Sequence, residues 1–412
     1  MVKKKILVVA PSSYPINGPE AMVNAKHILL LCKMGYSVDL VCRGIRKQNN
    51  IYPTKENMPY FYENVHSIVT IVVNTNWNFK TLFHHIAAYL KCGYVYKASD
   101  WSLDAIVYCE KNLNISDYDY VFTKDYPSEI VGVYLAKKYG VKWIPTWNDP
   151  YMWKKYPAPY GAGSKCRVNI LRKHLIRDIG KYSFINIFPS ERLKNYMLSY
   201  MENMNRNNCV IMPHILVNCS SQVKHSRSKI LRIIHAGSIG RERNPEKFLF
   251  ALKKFVEKIP QRLIEVNFLG VVQRTSSQSI KSLVDSMGLT DVVNFSAPVS
   301  YEESLDIVSD FDICLVIEAA CEEGIFLPSK VVDYLQNGKK IFAISPLNGT
   351  LSDLYSRGVI DYFANVLDEN AIYRELLIIY KDFVSGNSKE EKDLSDFDFD
   401  NIMMLHKEKI LL

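Results

Sequence analysis

Gly237-Ser-Ile-Gly-Arg-Glu-Arg243-Asn-Pro-Glu-Lys247 sets small residues and two guanidiniums between an apolar, strand-like run and a helical pattern. Small residues let a backbone approach a ligand, and a helix N-terminus favours anions. The chemistry this suits is holding a diphosphate; the plainer reading is a solvated basic turn. Gly324-Ile-Phe-Leu-Pro-Ser-Lys330-Val-Val-Asp333 repeats the arrangement at another strand-to-helix junction. There the amides from Ser329 onward and the Lys330 ammonium could hold phosphate oxygens. Asp333, one turn on, could accept hydrogen bonds from two vicinal hydroxyls. The alternative is a Ser N-cap followed by two surface charges. Ile16-Asn-Gly18-Pro-Glu20 follows the first strand-like run, and Gly18 could admit a ligand to the backbone or simply make a turn. No GxGxxG and no Walker lysine is present, which disfavours nicotinamide and ATP-hydrolysing chemistry.

These loops need elements to hold them. Lys5–Ala10 is a short apolar run, and Glu20–Met34 carries apolar residues at helical spacing, with Pro19 suited to its first turn. Gly35 ends that helix and Tyr36–Cys42 reads as a second strand, so the opening is a βαβ unit on a parallel sheet. Further strands are expected at Ser67–Val73, Tyr120–Thr123, Lys142–Thr146, Phe184–Phe188 and Val210–Met212. Helices fall at Trp101–Asn112, Ser128–Tyr139 and Glu191–Tyr200. The polar stretch Ile215–Ile230 reads as a linker. A second alternating series runs from the strand Leu231–His235 to the helix Leu351–Arg357, through strands at Ile264–Leu269, Val292–Phe295, Ile313–Ile317 and Ile341–Ile344. An acidic tail, Lys389–Asp400, precedes a short helix at Asn401–Leu411. The pattern is two successive doubly wound α/β bodies, with a ligand expected at the carboxyl-end loops.

The chain of 412 residues is 48% hydrophobic and 23% charged, which excludes collagen-like, disordered and disulfide-framework classes. No apolar stretch reaches the roughly 18 residues of a spanning helix. The apolar start stops at Pro11 without a cleavage site, so it reads as a strand rather than a secretory leader. Nine scattered cysteines without ligand spacing fit free thiols in a reducing cytoplasm. Charge is split: residues 1–222 carry 28 Lys and Arg against 15 Asp and Glu, the remainder 23 against 28. The basic half could face phosphates or an anionic membrane. Two of its segments mix cations and apolar residues, Asn78–Lys97 at helical spacing and Lys154–Lys181 with Asp178 as its only acid. Either could equally be a core helix with a solvated basic face.

In order, Pro11-Ser-Ser13, Gly18-Pro-Glu20, Thr123-Lys-Asp-Tyr-Pro127, Asn148-Asp-Pro150, His235-Ala-Gly-Ser, Arg243-Asn-Pro, Pro328-Ser-Lys-Val-Val-Asp and Asn348-Gly-Thr-Leu-Ser-Asp-Leu span nearly the whole chain. This ordered set resembles a GT-B glycosyltransferase, more closely the glycosyltransferase family 4 group of bacterial surface-polysaccharide enzymes. The resemblance implies two tandem Rossmann-like doubly wound domains facing a central cleft. Residues 1–222 would be an acceptor-side domain, 223–400 a nucleotide-sugar domain, and 401–412 a helix packing back on the first. It implies donor binding by Gly18, Gly237, Arg243, Ser329, Lys330 and Asp333. Lys124 falls near the family's sugar-contacting histidine, and Asp149 could orient the acceptor hydroxyl; a loop lysine and a turn cap are the alternatives. The family's two glutamates, separated by seven residues, map to Ile325 and Asp333 here, with Glu322 and Glu323 close by.

The implied activity is transfer of a hexose or N-acetylhexosamine from a nucleotide sugar, expected to be UDP-linked, to a lipid-linked oligosaccharide of O-antigen, capsule or exopolysaccharide synthesis, with retention. No cofactor, metal or nucleic acid is expected. Location would be cytoplasmic, peripheral on the inner face of the plasma membrane through the basic N-terminal domain. The alternatives are an isomerase like a UDP-sugar 2-epimerase, or a non-catalytic sugar-nucleotide-binding protein.

Overall fold

The computed structural model describes residues 4–411 apart from 17, 45–54, 56–57, 73–78, 94–98, 218–228, 261–262, 276–277 and 387–391. The chain divides into two compact units. The first comprises Met1–Tyr156, Ala162–Ile215 and Phe399–Leu412; the second comprises Pro157–Gly161 and Leu216–Asp398.

The first unit holds strands β1 Lys5–Ala10, β2 Ser37–Arg43, β3 Ser67–Ile71, β4 Tyr120–Lys124, β5 Lys142–Thr146, β6 Asn186–Phe188 and β7 Cys209–Ile211. They form one sheet in the order β3-β2-β1-β4-β5-β6-β7, parallel throughout. The second unit holds β8 Leu231–Ala236, β9 Ile264–Leu269, β10 Val293–Ser296, β11 Ile313–Ile317, β12 Lys340–Ser345 and β13 Tyr362–Asn365. Its order is β10-β9-β8-β11-β12-β13, again parallel. Each sheet reverses its winding beside its first strand, between β1 and β4 and between β8 and β11. In open α/β sheets that switch point is where ligands bind, outside the strands' carboxyl ends.

The strands are nearly continuous apolar runs because helices cover both faces of a parallel sheet. Ile313-Cys-Leu-Val-Ile317 is buried along its whole length. Helix Glu246–Val256 turns Phe248, Leu252 and Phe255 onto the sheet, each at most 1% exposed. Each such side chain contributes about 1.5–3 kcal/mol by leaving water. Helix Pro19–Lys33 starts as expected, with proline at its first turn and Gly18 before it at φ +155°, a backbone region that favours glycine.

The structure adds elements that the sequence reading passes over: β13, the helix Ile170–Tyr182 inside the basic segment, and the helix Glu369–Ser385. β13 is four residues on a sheet edge, too short to show a period; the long helix follows Asp368, whose side chain accepts from the Ala371 amide as an N-cap. Most of the expected linker, and the ends of Asn78–Lys97, lie outside the described residues. The long segment of the second unit begins at Leu216, and Pro157–Gly161 joins it from within the range 1–222. The chain's last helix starts at Phe399 and packs with the first unit: His406 is fully buried there, 2.9 Å from His27.

Candidate active site

In the second unit the two basic motifs meet at the β8/β11 switch point. β8 ends in His235 and Ala236 and hands over to Gly237, whose φ of +113° suits glycine. A Cβ there would lie 3.2 Å from Lys330 Nζ, so the residue's smallness also keeps the lysine's space open. Lys330 stands in the first turn of the helix Ser329–Gln336, which Pro328 introduces. Its Nζ lies 2.9 Å from His235 Nε2, while His235 Nδ1 lies 3.1 Å from the Leu315 carbonyl oxygen. That arrangement fits a neutral ring donating through Nδ1 and accepting at Nε2. Burial, with the neighbouring Lys330 charge, holds the His235 pKa well down.

Arg243 closes the cluster. Its Nε is 3.2 Å from Glu318 Oε1, and its guanidinium lies 6.0 Å from the centre of the Tyr160 ring. Glu318 is the first residue beyond β11 and is 4% exposed. Burial raises its pKa, while Arg243 and Lys330 pull the other way. Burial and then the Arg243 charge lower the Lys330 pKa to about 7. The cluster therefore gathers two cationic side chains against one carboxylate, an arrangement with room for further negative charge.

Asp333 is three residues beyond Lys330, and Tyr301 donates to its Oδ1 at 2.7 Å. Ser329 opens the helix without a capping hydrogen bond from Pro328. The structure thus brings Gly237, Arg243, Lys330, Ser329 and Asp333 into one unit, around two strand ends. Ile325, where the resemblance would put a glutamate, is fully buried and apolar. Glu318 and Tyr160 escaped the sequence reading. A charged residue directly after five apolar strand residues was the available signal for Glu318; nothing local marks Tyr160, whose ring packs edge-on to Phe326 at 5.2 Å.

Gly18, Lys124 and Asp149 fall in the first unit. Lys124 ends β4, is 1% exposed, and gives its ammonium to His27 Nδ1. His27 Nε2 meets His406 Nε2 at 2.9 Å, so Lys124 heads a buried chain of three side chains. Burial lowers its pKa to about 7, and lowers both histidines too. Asp149 is exposed and hydrogen-bonded by Tyr156. A cavity of 410 Å³ opens at the carboxyl ends of β4 and β5. Asp149 and Glu20 line it, as does Asp125, the neighbour of Lys124; Lys124 itself does not.

No protein-family model matches the chain, and no curated protein matches it in sequence. Solved structures do match over the full length. Sucrose-phosphate synthase from Thermosynechococcus elongatus superposes with a TM-score of 0.67 at 14% identity, covering 98% of both chains. Anabaena Alr3699/HepE, solved in complex with UDP and glucose, gives 0.61 at 11% identity, covering 98% of both. A glycosyltransferase from Rickettsia africae gives 0.60 at 13% identity, covering 99% of this chain and 98% of the other. The chain therefore has the two-domain α/β fold known as GT-B.

Proposed function

We propose that this protein is a glycosyltransferase that takes a hexose or N-acetylhexosamine from a UDP-sugar. The observation that supports this most is the Arg243, Glu318, Lys330 and His235 cluster at the β8/β11 switch point, in a fold shared with a structure holding UDP and glucose. Arg243 and Lys330 would neutralise the diphosphate as it leaves, and the helix starting at Ser329 would add its N-terminal field. Such side-chain charge can do the work without a bound metal ion. Asp333, oriented by Tyr301, would receive the ribose hydroxyls. Retention of configuration and family 4 character accord with the ordered motifs.

The proposed acceptor is a lipid-linked oligosaccharide of a surface polysaccharide, met at the inner face of the plasma membrane. Helix Phe79–Cys92 supports this by leaving Phe83 70% and Leu90 78% exposed, with Leu82, Ile86 and Tyr89 also exposed. An apolar helix face of that kind, on a unit rich in cations, suits an anionic leaflet. Among the described residues no helix is long and apolar enough to cross a membrane. The test is to incubate the protein with labelled UDP-glucose, UDP-galactose or UDP-N-acetylglucosamine and bacterial membrane extract. Label moving into the organic phase is the expected result; no transfer from any UDP-sugar would reject the proposal.

A further inference from the structure

Pro157–Gly161 belongs to the second unit, whereas the chain on either side of it belongs to the first. The segment reads Pro-Ala-Pro-Tyr-Gly, and its two prolines each fix a backbone φ. The amides of Tyr160 and Gly161 both donate to the Pro157 carbonyl, at 2.9 and 3.1 Å. Tyr160 is therefore presented by a stiff, internally bonded turn. Its ring packs edge-on against Phe326, two residues before Pro328, and the Arg243 guanidinium lies 6.0 Å from the ring centre. The turn thus sets a phenol beside the cations of the β8/β11 switch point.

The phenolic oxygen is shielded from solvent, and no acceptor lies within hydrogen-bond distance of it. Arg243 beside it can only donate, so it cannot take the phenol's proton. Glu318, the nearby carboxylate, is engaged by Arg243 Nε at 3.2 Å instead. Burial first, and then the Glu318 charge, hold the Tyr160 pKa above the usual phenol range, so the hydroxyl keeps its proton. An enclosed O–H without an acceptor is a cost to the protein that an acceptor from outside would remove. The surroundings select the kind of acceptor. Arg243 and Lys330 outnumber Glu318, and the Arg243 side chain is 34% exposed while Glu318 is buried. An arriving anion meets the guanidinium on the open side of the cluster, with the phenol next to it. A phosphate group offers several oxygens at once, so one can accept from Arg243 and another from Tyr160.

We propose that Tyr160 donates its O–H to the diphosphate that Arg243 and Lys330 receive, so that a turn set far from both in the sequence completes the anion site. No bond is made or broken at Tyr160, and its proton stays on the phenolic oxygen. The hydrogen bond strengthens as the sugar departs and negative charge gathers on the diphosphate, which is the moment at which such a donor assists the reaction. The identity of the diphosphate as part of a UDP-sugar rests on the glycosyltransferase reading; donation by Tyr160 to a diphosphate does not.

Calorimetric titration of the full-length protein with UDP, uridine and inorganic pyrophosphate tests it, on wild type and on Tyr160→Phe. The substitution keeps the ring against Phe326 and removes only the hydroxyl. Affinity for UDP and for pyrophosphate should each fall at least roughly tenfold, as expected for losing one hydrogen bond to a charged group, while affinity for uridine stays at the wild-type value. Because the hydroxyl has no acceptor in the ligand-free protein, the ligand-free thermal midpoint of Tyr160→Phe should stay level or rise. UDP affinity unchanged in Tyr160→Phe, or uridine affinity lowered as much as that for UDP, would overturn the inference and leave the glycosyltransferase reading standing. Tighter UDP binding by Tyr160→Ala would overturn it as well, by showing the ring to be an obstacle at the site. Pyrophosphate bound by wild type and roughly tenfold more weakly by Tyr160→Phe, with no UDP binding by either, would instead keep the role of Tyr160 and remove the UDP-sugar reading. A wild type that binds neither UDP nor pyrophosphate would overturn both.

Discussion

Lys330 takes a neutral imidazole, His235, as its 2.9 Å partner rather than a carboxylate. A lysine paired in this way is positioned by its partner without being neutralised by it. The carboxylate nearby, Glu318, is engaged by Arg243 at 3.2 Å. In the proposed function this pairing leaves an enclosed lysine available to an incoming anion.

It also makes donor binding depend on pH. Burial and Arg243 bring the free Lys330 pKa to about 7, and a bound diphosphate would raise it. A group whose pKa rises on binding contributes fully below its free value, and that contribution is lost as pH climbs toward the bound value. UDP-glucose suits the measurement because its diphosphate diester has no proton titrating in this range. Its affinity should fall between about pH 7 and pH 9, by up to roughly tenfold per unit. Lys330→Met should bind more weakly and lose most of that slope; a wild-type affinity flat across the range would contradict the assignment.

Arg243→Ala should weaken UDP binding by roughly tenfold or more, about 1.4 kcal/mol, as expected for losing one charged hydrogen bond. The variant also strands the buried Glu318 carboxylate, so its thermal midpoint should drop. Arg243→Ala with Glu318→Gln should recover the midpoint without recovering UDP affinity. Calorimetry and thermal melts on the same samples separate the two effects.

For the ribose, Asp333→Asn should raise the KM for the donor more than it lowers the melting temperature. Tyr301→Phe, which removes the hydroxyl donating to Asp333, should raise it in the same direction by a smaller factor. Steady-state kinetics in which neither variant moves the donor KM would leave Asp333 as a charge in the helix and no more.

Lys124 gives a stability prediction with a definite sign. The unfolded chain keeps a lysine proton to about pH 10.4, whereas the folded pKa is about 7. Between those values the unfolded state binds more protons, so Lys124 makes the fold more stable as pH rises above 7. Buried thiols raised above their usual range, Cys42 and Cys109 among them, act in the opposite sense once unfolded cysteines ionise, near pH 8.5. From about pH 7 to pH 8.5 the wild type should therefore gain stability relative to Lys124→Met. Denaturant midpoints that shift identically in the two proteins would show that Lys124 is not held in its desolvated state.

The membrane proposal turns on helix Phe79–Cys92. Phe83→Glu with Leu90→Glu should leave the thermal midpoint within about 0.5 kcal/mol of stability, because both positions are exposed. The same double variant should no longer sediment with phosphatidylglycerol vesicles, and wild-type sedimentation should fall with salt. A wild type that stays in the supernatant at low ionic strength would end that part of the account.

Much of the fold was legible because buried parallel strands read as apolar runs: Ile313–Ile317 and Lys142–Thr146 keep the bounds read from the sequence. Helix Glu369–Ser385 carried the period too, with Ile372, Leu376 and Ile379 on its buried side. The edge strand Tyr362–Asn365 did not, being too short. In the site, Arg243 and Lys330 were readable as cations at strand-to-helix junctions. Glu318 became meaningful only when β8 and β11 were seen to be neighbours, and the Glu20–Asp125 pair only when the β1 and β4 loops were seen to meet. Both pairs are joined by sheet order, across 75 and 105 residues of chain respectively in the numbering of Arg243 with Glu318 and of Glu20 with Asp125. Local pattern carries no record of such distances. Lys124 shows the converse: its sequence position suggested a ligand contact, while its side chain belongs to the core through His27 and His406.

In the proposed function the Arg243 and Lys330 cluster receives the diphosphate of a UDP-sugar. Its most direct measurement is calorimetric titration of the full-length protein with UDP and with uridine, on wild type and on Arg243→Ala with Lys330→Met. UDP should bind wild type at least roughly a hundredfold more tightly than uridine does, and the double variant should lose most of this difference. Equal affinity for UDP and uridine, or a preference for UDP that survives the loss of both cations, would contradict it.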